Sequence, residues 1–244
     1  MKITKAIIFP LILSLSFLWK ESDAIYISGM LRLFRGEGDY TDLSGNGYNL
    51  STQGSGQSFV TATPYGVQSR QVMRFANGGK AIGNAEGLPG GSAHRTIIGW
   101  FNYDGGASGN GPFGYGAPGC NNAYYAWMYG APTNPKLELD QWCDIECINP
   151  PLIQPVIANT WYHVAFSWDG TNNRGYLNGN LQATGTPDSA PGTVTTRYDY
   201  VFAHYFIFRL QNFIFKKNLI NLFLMQGLQL GGIPIHLPHI SMVM

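Results

Sequence analysis

Residues 159–170 read Asn-Thr-Trp-Tyr-His-Val-Ala-Phe-Ser-Trp-Asp-Gly, and this stretch decides the fold. Its even positions from Tyr162 to Trp168 are large and apolar, whereas the positions between them are smaller or polar. A period of two is typical of a β-strand with one face turned to the core. Further along, Asn178-Gly179 separates two strand-like runs, and this dipeptide favours a hairpin because both turn residues must tolerate positive φ. The stretch therefore predicts consecutive antiparallel strands.

The same kind of sequence extends over residues 25–197. This region is rich in Gly, Asn, Thr, Tyr and Trp, and turn signals separate its short apolar stretches. Residues 95–103 are another β-branched and aromatic run, closed by Asp104-Gly105-Gly106, and no long stretch has helical periodicity. A chain of 244 residues has room for one sandwich or barrel. We expect one all-β domain of many short strands.

Four segments, in order, resemble the laminin-G-like jelly rolls of the concanavalin-A-like lectin and glucanase type. Residues 159–170 and 175–179 resemble the family signature W-x-H-V-A-x-x-Y-D-G followed by L-Y-V-D-G. Upstream, residues 42–50, 75–82 and 96–101 resemble its D-x-S-G-N-G, F-D-G and F-T-I-S-x-W segments. The resemblance implies a two-sheet antiparallel β-sandwich that binds glycans, matrix proteins or receptors, with one calcium ion in some members. Enzymes share this fold, so the fold alone names no function.

An enzyme of this family would need a set of paired acids. Retaining glucanases carry an E-x-D-x-E run on one strand, where alternation aims all three acids into the cleft. Glu138 and Asp140 match, but Trp142 stands where the second Glu belongs. Because hydrolysis needs a nucleophile and a separate acid/base, we expect no catalytic residue. Glu138 and Asp140 are then interpreted as a solvated strand face; alternatively, Trp142 stacks on a sugar while the two acids hydrogen-bond its hydroxyls.

The aromatic run over residues 124–129 also allows two interpretations. Alternation sends Tyr125, Trp127 and Tyr129 to one face and Tyr124, Ala126 and Met128 to the other. We expect one set to lie in the core and the other to be able to line a binding face.

Three aspartates lie in loops where this family could hold calcium. Asp42, Asp104 and Asp169 could supply carboxylate oxygens to such a hard cation. The same residue type is favoured in turns because it caps the turn backbone, and we prefer that interpretation. His163 lies within the strand signature and is interpreted as structural. Asn49-Leu50-Ser51 is an N-glycosylation acceptor.

The first 24 residues have the order of a secretory signal. Lys2 and Lys5 precede an apolar run over residues 6–19, and Ser22 and Ala24 are small residues at the expected cleavage positions. The run is shorter than the ~20 residues of a membrane-spanning helix. We therefore expect a secreted, extracellular protein.

In that compartment the cysteines can be oxidised. We expect a disulfide from Cys120 to either Cys143 or Cys147, because Cys-x3-Cys without a neighbouring His is a poor zinc set.

The net charge of the chain is +1, which gives no basic stripe for binding nucleic acid.

The composition changes after residue 197. Six of the 14 Phe residues fall in residues 198–244, but only three of the 31 Gly residues do. The closing strand usual in the family is not recognisable, so we expect the sandwich to lack its last strands. We interpret the divergent tail as a retained intron or a shifted reading frame; the alternative is a genuine C-terminus whose apolar residues pack on the sandwich. Arg209, Lys216 and Lys217 argue against a stable membrane span there.

Together these patterns predict a non-catalytic extracellular module that recognises a glycan or a matrix protein, with calcium as the one cofactor to consider. Two alternatives stay open. One is a structural protein of the extracellular or mineralised-tissue matrix. The other is a glucanase-like, glycan-active enzyme or its inactive descendant.

Overall fold

The described part of the chain is an antiparallel all-β structure. The computed structural model describes residues 29–63, 69–105, 111–116, 123–130, 132–140 and 151–185, together with the backbone of residues 206–209. The strands in these ranges are β1 (Ser51–Gln53), β2 (Gln57–Ala62), β3 (Arg70–Phe75), β4 (Lys80–Ile82), β5 (Arg95–Tyr103), β6 (Gly114–Gly116), β7 (Ala123–Tyr129), β8 (Lys136–Asp140), β9 (Trp161–Trp168), β10 (Asn173–Leu177), β11 (Asn180–Gly185) and β12 (Phe206–Arg209). Within these ranges no helix is long and apolar enough to span a membrane.

Two sheets enclose the core. The larger has the strand order β11-β10-β9-β5-β12-β3-β2, the smaller has the order β6-β7-β8, and β1 and β4 form a two-stranded ribbon. Buried side chains of both sheets form one cluster that includes Phe75, Phe101, Phe166, Tyr124 and Leu139. Fully burying one such side chain contributes roughly 1.5–3 kcal/mol to the free energy of folding. The predicted two-sheet antiparallel sandwich is confirmed.

Strand β9 follows the predicted alternation. Tyr162, Val164, Phe166 and Trp168 all belong to the core cluster. The strand pairs on one side with β5 and on the other with β10, so it lies inside the large sheet. The period of two read from the sequence therefore sets which face of this strand is buried.

The predicted hairpin joins β10 to β11. Asn178 and Gly179 have φ values of 48° and 86°, the positive values that a type I′ turn requires. Asn178 also links the turn to β9 by a hydrogen bond: its Oδ1 accepts from the His163 N–H at 3.0 Å. The Asn178 N–H in turn donates to the His163 carbonyl at 2.8 Å. The turn residue thus fixes the register of two strands.

One segment of the atypical tail is a strand of the sandwich. Residues 206–208 pair with residues 73–75 of β3, and residues 206–209 pair with residues 100–103 of β5. This corrects our expectation that the sandwich lacks its last strands. Without this segment β3 and β5 would each present unpaired backbone groups. The aromatic and β-branched composition of Phe-Ile-Phe suits a strand whatever the origin of the tail.

Candidate functional site

The outward face of the small sheet collects aromatic side chains. Tyr124, Ala126 and Met128 of β7 are fully buried in the core, whereas Tyr125, Trp127 and Tyr129 are only half-buried. The predicted division of this run into two faces is therefore confirmed. We refer to the outward side chains of β7 and β8 as the β7–β8 face; its members are Tyr125, Trp127, Tyr129, Lys136, Glu138 and Asp140.

The register of the two strands brings the predicted acids to these aromatic rings. Glu138 lies directly opposite Trp127, and Asp140 lies directly opposite Tyr125. Opposed side chains on one face have Cβ atoms about 4.5–5.5 Å apart. Because Leu137 alternates inward to the core, Glu138 points away from the core. The structure describes five of the six residues predicted to line a ligand site, and all five share one face.

The two carboxylates are not on a solvated surface. Glu138 and Asp140 are each only 5% exposed, which corrects the preferred interpretation of a solvated strand face. The register places Trp127 opposite Glu138 and Tyr125 opposite Asp140, so each acid has an aromatic neighbour on the same face.

The aromatic rings have fixed mutual geometry. Tyr125 and Trp127 meet edge to face, with ring centroids 5.5 Å apart and an interplanar angle of 85°. At the other end, the Lys136 Nζ lies 5.4 Å from the centroid of the Tyr129 ring. Gly114 of β6 lies opposite Tyr125, and a Cβ at Gly114 would overlap the Cβ of Tyr125. The glycine is therefore needed to bring β6 close to β7.

Several predicted positions lie outside the described residues. These are Trp142, the three cysteines Cys120, Cys143 and Cys147, the signal segment of residues 1–24, and most of the tail. Their assignments stay predictions.

The aspartates proposed for calcium bond to other groups of the protein. Asp42 is buried, and its Oδ1 accepts hydrogen bonds of 2.9 Å from the N–H groups of both Leu33 and Ser44. Its Oδ2 accepts a third bond of 3.2 Å from the Tyr48 N–H. Asp104 lies 3.5 Å from an Arg74 nitrogen. The bonds of Asp42 match a turn-capping role, whereas Asp104 pairs with a side chain of β3.

Asp169 is bonded both to the backbone of its own turn and to Arg174. Its Oδ1 accepts from the N–H groups of Thr171 and Asn172 at 2.9 and 2.7 Å, and its Oδ2 lies 2.5 Å from an Arg174 nitrogen. Desolvation raises its pKa, but these hydrogen bonds and the Arg174 charge outweigh it and lower the pKa to about 2. Within the described ranges, no group of three or more His, Cys, Asp or Glu side chains could hold a metal ion.

Two further predicted residues are described. Asn49 is exposed, and its Oδ1 accepts a 2.9 Å hydrogen bond from the Asp42 N–H. His163 lies beside Trp100, with ring centroids 4.9 Å apart. Burial lowers the pKa of His163 to about 4, so the ring is neutral near pH 7. These contacts agree with a structural histidine.

Sequence reasoning missed a buried arginine. Arg95 is the first residue of β5 and is fully buried, with its guanidinium 5.2 Å from the centroid of the Tyr124 ring. The signal was present in the strand pattern, because alternation places Arg95 on the same face as Ile97 and Phe101.

Comparisons with known proteins agree with this architecture. A laminin-G family model, described as the concanavalin A-like lectin/glucanases superfamily, matches residues 75–204, more than half of the chain. No curated protein matches the chain.

Among solved structures, the binding domain of botulinum neurotoxin serotype C1 is similar with a TM-score of 0.56 and 16% identity, over 82% of this chain and 52% of that one. The binding domain of Paraclostridial Mosquitocidal Protein 1 is similar with a TM-score of 0.56 and 15% identity, over 80% of this chain and 52% of that one. This chain spans about half the length of both structures, and likeness at such identity shows the fold. With the family match, the strand order and the sandwich core in agreement, the chain belongs to the concanavalin A-like lectin/glucanase superfamily.

Proposed function

We propose that this chain is a secreted, extracellular and non-catalytic module that binds a glycan on the β7–β8 face. One observation carries the proposal: the strand register sets Trp127 opposite Glu138 and Tyr125 opposite Asp140, on the side turned away from the core. Aromatic surface and convergent polar groups on one face are the usual composition of a ligand site. The fold class supports a binding module and names no sugar.

The chemistry of the face suits a polyhydroxylated ligand. The half-buried rings offer flat apolar surface to the C–H groups of a sugar ring. The carboxylates accept hydrogen bonds from hydroxyl groups, and such charge-assisted bonds are shorter and stronger than neutral ones. Successive outward side chains along β7 are about 6.6–6.8 Å apart along the strand. The three rings could therefore contact more than one sugar unit.

Catalysis is not part of the proposal. A retaining glycosidase needs two carboxyl groups about 5–5.5 Å apart, one on each side of the scissile bond. Glu138 and Asp140 follow each other on one strand, and position 142 of the pattern is a Trp. The proposal therefore predicts that a bound oligosaccharide is recovered uncut.

Two of the solved structures support a binding role for this architecture in general terms. One structure holds the binding domain of botulinum neurotoxin DC in complex with SialylT. The other holds the binding domain of botulinum neurotoxin DC in complex with rat synaptotagmin II. The chain matches only about half of each structure, so these ligands are not carried over to it. Calcium is left as a variable of the experiment.

The test is a glycan array screened with the full chain secreted from expressing cells, once with calcium and once with a chelator. N-terminal sequencing of the secreted product should begin at Ile25 if the signal is cleaved as predicted. Trp127→Ala and Glu138→Gln should each lose the array signal, whereas Leu181→Ala, an exposed change on β11, should keep it. Binding that survives Trp127→Ala would place the site elsewhere. No binding by well-folded protein would favour the structural matrix alternative.

A further inference from the structure

Three neighbouring residues between the two sheets each carry a buried nitrogen with hydrogen to donate. They are the Nε of Arg95, the Nε1 of Trp168 and the Nδ2 of Asn173, and none has a hydrogen-bond partner among the residues that the structure describes. The three residues are 0%, 3% and 0% exposed. Buried polar groups are normally satisfied, so a group of orphaned donors requires an explanation.

The strand register makes these residues neighbours. Trp168 of β9 lies directly opposite Arg95 of β5 and directly opposite Asn173 of β10. Directly opposed side chains have Cβ atoms about 4.5–5.5 Å apart on the same face. Tyr124 of the small sheet closes the group, since its ring lies under the Arg95 guanidinium and its hydroxyl donates to the Asn173 Oδ1 at 3.4 Å. The three residues thus lie side by side on adjacent strands of the large sheet.

Among the described residues, the charge of Arg95 has no acidic partner. Its other two nitrogens donate to the carbonyls of Pro89 and Gly91, and the ion pairs found among the described residues do not include it. Tyr115 is also nearby, but burial raises the pKa of its hydroxyl, which keeps it neutral. A buried cation is costly unless an opposite charge compensates it.

Comparison with the other buried arginine, Arg32, shows what distinguishes the surroundings of Arg95. Arg32 donates to the carbonyls of Leu31, Asn84 and Glu86, and its guanidinium lies 3.6 Å from the centroid of the Tyr48 ring. It resembles Arg95 in having carbonyl and aromatic contacts. The difference is the neighbourhood: beside Arg95 an indole and an amide donor are also left unpartnered.

We propose that Arg95, Trp168 and Asn173 bind a small inorganic anion of halide size between the two sheets. Three donors and one permanent positive charge select an acceptor with negative charge. The near-zero exposure of all three residues selects a small ion, one that is enclosed when the sandwich closes. This site is separate from the β7–β8 face and does not depend on the proposed glycan binding.

Anion-specific stabilisation tests the proposal. Thermal unfolding of the full chain is measured in sodium chloride and in sodium gluconate at equal ionic strength, so that screening is the same in both series. A ligand that binds only the folded state raises the Tm in a saturable way. At a chloride concentration about 100-fold above Kd we expect a rise of about 5–10 °C relative to gluconate.

Variants locate the effect. Trp168→Phe removes the indole N–H and keeps a ring, and should weaken the apparent chloride Kd at least ten-fold. Trp161→Phe, on the same strand but on its outward face, is the matched control and should leave the chloride effect unchanged. Arg95→Met removes the charge and should abolish the effect; if that variant does not fold, Trp168→Phe still decides. Equal Tm values in the two salts, or an unchanged response in Trp168→Phe, would overturn the proposal.

Crystals grown in bromide give a second readout. An anomalous peak within hydrogen-bonding reach of the Trp168 Nε1 would support the anion site. Water density alone at that position would overturn it.

Discussion

Trp127 and Glu138 lie directly opposite each other across the β7–β8 ladder, and both side chains point away from the core. The residues next to them in the sequence, Met128 and Leu137, also oppose each other, but they are fully buried in the core. A single step along either strand therefore changes the role of a side chain from proposed ligand contact to packing.

This relationship predicts opposite effects for two adjacent substitutions. Trp127→Ala should abolish most glycan binding, with a loss of roughly 30-fold or more if it is a hot spot of about 2 kcal/mol, and should change the stability little. Met128→Ala should cost about 2–5 kcal/mol of stability because it leaves a cavity in the core. Calorimetric titration with an array-positive sugar and urea unfolding measure the two effects. A folded Trp127→Ala protein with unchanged affinity would exclude the β7–β8 face as the site.

The central position of β12 predicts where the chain can be shortened. A protein ending at residue 197 lacks the strand between β3 and β5. It should be insoluble or lose cooperative unfolding, since two strands then have unpaired edges. A protein ending at residue 212 keeps β12 and should unfold cooperatively. Secretion yield and thermal unfolding compare the two; a stable protein ending at residue 197 would contradict the pairing of β12.

His163 predicts a loss of stability in mild acid. Burial lowers its folded-state pKa to about 4, below the ordinary 6.5, so the unfolded chain binds the proton more readily. The stabilisation is complete above pH 6.5 and is lost as the pH falls towards 4, by up to about 3 kcal/mol. His163→Gln should remove this pH dependence. Urea unfolding from pH 7 to 4 tests it, and an NMR titration that gives His163 a pKa near 6.5 would refute it.

Asp169 predicts a second and lower pH window. Its folded-state pKa of about 2 lies below the ordinary 3.8, so its contribution to stability is present above pH 4 and is lost as the pH falls towards 2. The pair with Arg174 is at the surface, so the effect should be at most about 1 kcal/mol. Asp169→Asn should be less stable than the parent at pH 5 and should approach it at pH 2. A constant difference between the two proteins would contradict the assignment.

Asn178 predicts the sensitivity of the hairpin. Asn178→Ala puts alanine at a positive φ of 48°, which asparagine tolerates better because of its side-chain amide. The substitution also removes the oxygen that accepts a hydrogen bond from the His163 N–H. We expect a cost of about 1–3 kcal/mol. Asn178→Gly relieves the backbone strain but not the lost hydrogen bond, and should cost less. Chemical unfolding of both variants checks the order; equal stability of the two would show that the hydrogen bond alone matters.

Much of the sandwich could be predicted from local patterns. The alternation in β9 and in β7 gives the buried face correctly, and Asn178-Gly179 gives the hairpin. These features depend on neighbours within a few residues, where steric preference and side-chain period act directly.

Other features could not be predicted in this way. The sequence suggested a solvated face for Glu138 and Asp140, but in the folded chain each is only 5% exposed. The tail suggested a missing strand, but residues 206–209 pair with strands more than 100 positions away. Both outcomes depend on which residues the folded chain brings alongside, and no local propensity encodes that.

The sequence by itself determined the all-β class, the inward and outward faces of its main strands, the hairpin turn and the family resemblance. Only the tertiary structure decided that Arg95, Trp168 and Asn173 converge between the sheets, that Trp127 faces Glu138, and that β12 lies between β3 and β5. The reason is physical: the side-chain period and the allowed φ values are properties of the local chain, whereas burial and charge compensation depend on partners that only packing brings together.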